Sequence, residues 1–152
     1  MVHSKSLLWS AALAALLCGC GGSDFPPTTP VSGTVTYKGQ PVEGAAVTLV
    51  PTSGSGKAGT ATTDAQGNFK IRTFQEDDGA VPGQYQVTVS KMVAIGAISA
   101  EEAQRMMEAD QVVPETKYEN KVPEKYKDPK KSGLTADVPE SDKLELKLEL
   151  TD

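Results

Sequence analysis

The chain is 152 residues long and carries 20 acidic against 15 basic side chains, a formal net charge of −5. That length fits one domain. The acidic balance excludes a nucleic-acid or anionic-lipid footprint, since both require clustered positive charge. The single histidine, His3, and the single tryptophan, Trp9, both fall at the start of the chain.

That first stretch reads as an export signal. Lys5 is the only charged side chain before an uncharged run, Leu7 to Leu17, whose one polar residue is Ser10. As a helix the run reaches only about 16 Å at ~1.5 Å per residue, against about 30 Å of hydrocarbon, so it is too short to span a bilayer and suits a signal h-region. Leu17-Cys18-Gly19-Cys20 follows and resembles the bacterial lipobox. The resemblance implies cleavage after Gly19, which removes residues 1–19, and attachment of palmitate-type acyl chains to Cys20. An ordinary secretory peptide cut elsewhere, or a disulfide between Cys18 and Cys20, are the competing readings. The chain has two cysteines in all, so no disulfide framework supports the fold.

Residues 20–30 read as a flexible tether, extended by Pro26, Pro27 and Pro30. Seven short strands are then predicted. Val31 to Tyr37 alternates Val31, Gly33, Val35 and Tyr37 with Ser32, Thr34 and Thr36, the period-two signature of a half-buried strand. After a turn at Lys38-Gly39-Gln40-Pro41 and a kink at Gly44, Ala45 to Val50 places Ala45, Val47 and Leu49 on one face. Ala58 to Thr63 and Asn68 to Thr73 are predicted to form a hairpin about Asp64-Ala65-Gln66-Gly67, where Asp64 can accept backbone amides and Gly67 supplies a positive φ. Glu76, Asp77 and Asp78 mark a solvated turn. Pro82-Gly83 introduces Gln84 to Ser90, with Tyr85, Val87 and Val89 sharing a face. Ser132 to Val138 alternates Leu134, Ala136 and Val138, and Leu144, Leu146, Leu148 and Leu150 alternate without a break.

An insert at 92–113 interrupts the strands. Ser99-Ala100-Glu101-Glu102 is a capping box, and Ala103, Met106 and Met107 form the apolar side of a short helix ending near Asp110. Residues 92–98 and 112–129 read as long connections on either side of it. Connections of that length in a small domain tend to be functional or mobile. The Met106–Met107 face is either a contact for a partner or a cap on the chain's own sandwich, and the second is the expectation.

Seven alternating strands without strand–helix–strand repeats point to an all-β fold, a seven-stranded antiparallel β-sandwich with a short helical insert. Three further motifs sharpen this. Gly33-Thr34-Val35 with Gly39 to Val47, Thr63-Asp64-Ala65-Gln66-Gly67-Asn68-Phe69, and Pro82-Gly83-Gln84-Tyr85-Gln86-Val87-Thr88-Val89 look like the opening, central turn and Pro-Gly-x-Tyr strand of carboxypeptidase regulatory-like domains. Val122 to Tyr126 with Asp128-Pro129 and Ser132 to Thr135 is similar to the C-terminal half of small bacterial lipoproteins in that group. The resemblance covers residues 31–150 and implies a transthyretin-like, Ig-like sandwich. Gly33, Gly39, Gly44, Asp64, Gly67, Gly83 and Tyr85 are read as fold signatures rather than a site, with Tyr85 expected to form a tyrosine corner.

The inventory argues against an enzyme. Without His, and with Cys20 acylated, the mature chain holds no zinc ligand set and no Ser-His-Asp or Cys-His pair. Gly54 to Ala58 lacks the spacing of a phosphate loop, and Glu76 to Asp78 lacks the alternating ligands of a calcium loop. No catalytic residue, metal or cofactor is expected. The expected function is that of a membrane-anchored envelope lipoprotein whose non-catalytic sandwich serves as a structural or protein-interaction module. Met106, Met107, Tyr118 and Tyr126 are the candidate contact residues. The alternative is a carbohydrate-binding module, weakened by the scarcity of aromatic platforms. Expected partners are the membrane through the lipid anchor and an envelope protein, not nucleic acid. Gly21 after the lipidated Cys favours the outer membrane over the inner by resemblance to the sorting rule.

Overall fold

A computed structural model describes residues 25–54 and 56–152. Gly19 and Cys20, with the signal segment before them, lie outside the described residues.

The alternating segments form strands and pack as two four-stranded sheets. β1 (Val31–Tyr37) is the centre of the first. Parallel to it on one side lies β10 (Leu144–Leu150), and antiparallel on the other lie β2 (Gln40–Pro41) and β5 (Asn68–Lys70). The second sheet has the order β4-β3-β6-β9, from Gly59–Thr62, Ala46–Pro51, Gly83–Ser90 and Leu134–Val138, all antiparallel. One cluster fills the space between them. Val31, Val35, Phe69, Leu148 and Leu150 face in from the first sheet, and Val47, Leu49, Tyr85, Val87, Val89, Ala136 and Val138 from the second. Each fully buried side chain of this size contributes about 1.5–3 kcal/mol. The fold is an all-β sandwich.

Four features differ from the sequence expectations. The segments around Asp64–Gly67 are not one hairpin. β4 pairs with β3 and β5 with β1, so the turn carries the chain from one sheet to the other, and only the bridge between Thr60 and Arg72 joins the two segments. The sheets are not wholly antiparallel, because β1 and β10 run side by side in the same direction over seven residues. The connections flanking the helix are structured as well. β7 (Met92–Ile95) and β8 (Lys117–Asn120) form a two-stranded ribbon, and Glu124–Lys127 is a 3-10 turn. The stretch before β1 is already docked at Thr29, which is buried, exchanges backbone hydrogen bonds with Ala80 (2.8 and 3.0 Å) and donates its hydroxyl to Pro139 O at 2.6 Å.

Candidate interaction arm

The two ends of the sandwich differ. Thr29, Ala80 and the start of β6 mark one end; Tyr37 and Ser90, where β1 and β6 finish, mark the other. Beyond Ser90 the chain leaves as an arm, Met92–Asn120, and returns. Its base is tied down by backbone and amide bonds. Lys121 N–H donates to Lys91 O (2.8 Å) and Lys91 N–H to Asn120 Oδ1 (2.8 Å). Asn120 Nδ2 is buried with no hydrogen-bond partner among the described residues. Just past the base, Val122 is buried, and Tyr126 OH donates to Thr151 O (3.1 Å) while accepting from Thr151 N–H (2.9 Å). Burial alone would raise the Tyr126 hydroxyl, but its bonds to Thr151 and the neighbouring Lys125 charge hold it below the ordinary tyrosine value.

The helix α1 (Ala100–Glu108) tops the arm, and local signals define both its ends. Ser99 Oγ accepts from Glu102 N–H at 3.1 Å, as the capping box predicts. At the other end Asp110 takes φ 57, with Asp110 N–H donating to Met107 O and Gln111 N–H to Met106 O, a Schellman closure with Asp in the place usual for glycine.

The helix does not cap the sandwich. No residue of α1 is buried. Met106 is half-buried and Met107 is 66% exposed. Six large hydrophobic side chains are exposed among the described residues, and five belong to the arm: Met92, Ile95, Met107, Val112 and Tyr118. The arm is also acidic. Glu101, Glu102, Glu108, Asp110, Glu115 and Glu119 face only Arg105 and Lys117. Tyr126, expected with Tyr118 as an exposed contact, is instead buried at 4%. Its ring joins the core because the 3-10 turn packs against β6.

The fold-signature residues act as supports. Gly39, Gly44 and Gly67 take positive φ values at turns, and Gly83 opens β6 at φ 148. Asp64 accepts from Gln66 N–H (2.9 Å), Asn68 N–H (2.8 Å) and Asn68 Nδ2 (3.1 Å), and the Asn68 bonds above all hold its carboxyl below the usual range. Tyr85 buries its ring and donates to Val81 O at 2.7 Å, the tyrosine corner; burial pushes its hydroxyl up. Two acids of the loop after Ile71 are similarly committed. Asp78 accepts from Thr73, Phe74 and Gln75 N–H (2.7–3.0 Å), and Asp77 pairs with Lys70 at 3.0 Å.

An open depression of 520 Å³ lies over β3, β4 and β5. Its polar lining, Asp64, Asn68, Lys70, Arg72, Glu76 and Asp77, mixes both signs of charge. No cluster of three or more metal-ligating side chains occurs among the described residues. Nor is any described helix long and apolar enough to cross a membrane.

Residues 30–94 match the family model of the carboxypeptidase regulatory-like domain. This stretch is similar to that domain. The match runs from β1 into β7, while β9 and β10, which pair with β6 and β1, come from beyond the regulatory-like segment. A comparison with curated proteins finds no match. Among solved structures, a 9R-lipoxygenase from Cyanothece PCC8801 is similar over 86% of this chain at 10% identity and a TM-score of 0.37, and the chain spans 17% of that protein.

The arm's ribbon was hidden in sequence because Met92 to Ile95 and Lys117 to Asn120 lack clean alternation. The one available signal was the pairing of two short segments about a capped helix.

Proposed function

We propose that this protein is a lipid-anchored lipoprotein of the cell envelope, in the outer or the cytoplasmic membrane, whose non-catalytic regulatory-like sandwich displays the Met92–Asn120 arm to a protein partner. The observation that carries this reading is the concentration of exposed apolar side chains on an arm that contributes nothing to the core. Apolar patches rimmed by charge are characteristic of protein contact sites, and exposed Met adapts to irregular surfaces. The arm's excess of acids favours a partner with a basic surface. The lipobox-like Leu17 to Cys20 supplies the anchor, and two or more acyl chains hold a protein stably in a bilayer. Carbohydrate recognition is the weaker reading, since burial of Tyr126 leaves Tyr118 as the one exposed ring of the pair.

Two measurements test this. The intact mass of membrane-extracted protein is expected to start at Cys20 with acyl chains added, and Cys20→Ser is expected to abolish the modification and release the chain to the soluble fraction. A photo-crosslinking side chain at Met107 in intact cells is expected to capture one protein that the same group at Lys147, on β10, does not. Equal capture from both positions, or glycan binding that depends on Tyr118, overturns the arm's role.

A further inference from the structure

We propose that the chain is clasped to itself just after its anchor, so that the bilayer holds the Thr73–Gly79 loop close and the arm points away into the aqueous compartment. This rests on the reading of Cys20 as the acylated residue.

The clasp has two parts. Phe25 stacks on Phe74 with ring centroids 4.7 Å apart and planes 11° from parallel, an attractive offset-stacking distance. Four residues on, Thr29 is locked between Ala80 and Pro139. Gly79 makes this possible: it sits at φ 88, and a Cβ there would collide with the Thr29 carbonyl. The segment that composition alone marks as a free tether is therefore held against the sandwich from Phe25 on. The loop that receives it is itself rigid, because Asp78 ties together the amides of Thr73, Phe74 and Gln75.

The consequence is one of reach and direction. From Cys20 to Phe25 an extended chain covers at most about 17 Å, whereas release of Phe25 would lengthen the leash to Thr29, about 30 Å. β1 and β6 both start at the clasped end and run toward the other, where Tyr37, Lys91, Lys121 and Val122 border a common hollow at the arm's base. Strands of seven and eight residues set the two ends about 25 Å apart at ~3.3 Å per residue. The base of the arm thus lies at the end away from the lipid. Glu76 and the Lys70–Asp77 pair put polar groups on the loop nearest the headgroups, which keeps that end on the surface rather than in it.

The test uses the mature, membrane-extracted chain in vesicles of phosphatidylethanolamine and phosphatidylglycerol containing a headgroup-labelled acceptor lipid. A donor dye is placed on Glu76→Cys or, separately, on Met107→Cys; both positions are exposed. Energy transfer is expected to be severalfold stronger from position 76. Adding Phe25→Ala is expected to weaken transfer from 76 and narrow the difference. Equal transfer from both positions in a chain that floats with the vesicles overturns the clasp while leaving the anchor standing, as does a difference that Phe25→Ala and Phe74→Ala both leave unchanged. A chain that does not float and carries no acyl mass overturns the anchor reading, and this inference with it.

Discussion

Asp78 shows how a carboxylate on the surface of this domain becomes structural. Burial alone would raise its carboxyl, but the amides of Thr73, Phe74 and Gln75 outweigh that and leave it below the ordinary Asp value of 3.8. A folded value below the unfolded one means the unfolded state binds the proton first as pH falls. The stabilisation is therefore full above the unfolded value and lost as pH drops through the folded one. Asp64 shifts in the same direction. Urea midpoints of the soluble Cys20→Ser chain are expected to fall as pH is lowered below about 4. Asp78→Asn is expected to cost about 1.5–3 kcal/mol at pH 7, the range for hydrogen bonds to a charged group, and to flatten that acid slope. Gly33 is the opposite case, a residue needed for what it lacks. It pairs with Phe69 on one side and Leu146 on the other, and a Cβ there would strike the Leu146 carbonyl and the Phe69 ring. Gly33→Ala is expected to cost about 1–3 kcal/mol or more in denaturant titrations, since the obstacle on one side is backbone that cannot rotate away.

At the level of elements, the sandwich and the arm are built on different terms. The sandwich strands bury one face each in a shared core; no residue of the helix is fully buried, and it stands on its two caps and a short ribbon. Isolated helices shorter than about 12 residues are marginal in water, so α1 depends on its Ser99 cap and Asp110 closure. Met92 and Asn120 are register partners, which allows a clean excision. Replacing Val93 to Glu119 by an Asn-Gly turn, which suits a tight hairpin, is expected to leave the fold intact and to change stability by less than about 1 kcal/mol, as surface changes remote from the core do. Circular dichroism and urea unfolding check this, and a large loss would mean that the arm supports the core. Much of this architecture was legible beforehand. The strand at Leu144 to Leu150, the inward faces of Val47 and Leu49, and the helix start at Ser99 follow from periodicity and capping. The β4–β5 crossing was not legible, because a turn with Asp64 and Gly67 serves a hairpin and a passage between sheets equally well.

At the scale of the whole molecule, most of the exposed large apolar side chains among the described residues gather on the arm. The core end carries the clasp and a tied loop; the far end carries an acidic arm with five exposed hydrophobic side chains. Attraction between such an arm and a basic partner is screened by salt. Once the partner is captured through Met107, its association rate with the purified chain is expected to fall as ionic strength rises from 0.01 to 0.15 M, while dissociation changes less. Surface plasmon resonance over a salt series separates the two, and a salt-independent association rate would point to a purely apolar contact.

The absence of histidine after residue 3 and the period-two faces of most strands are properties of single residues and their chain neighbours, and the sequence by itself determined them. Tertiary structure alone decided which strands became neighbours, because strand partners come from distant segments. β1 pairs with β10 from the far end of the chain, and β5 leaves its sequence neighbour β4 for β1, since each sheet must cover the other's apolar face. The same closure buried Tyr126, left Met107 in water and drew the proline-rich lead-in onto Phe74, outcomes that depend on what lies opposite a residue rather than beside it.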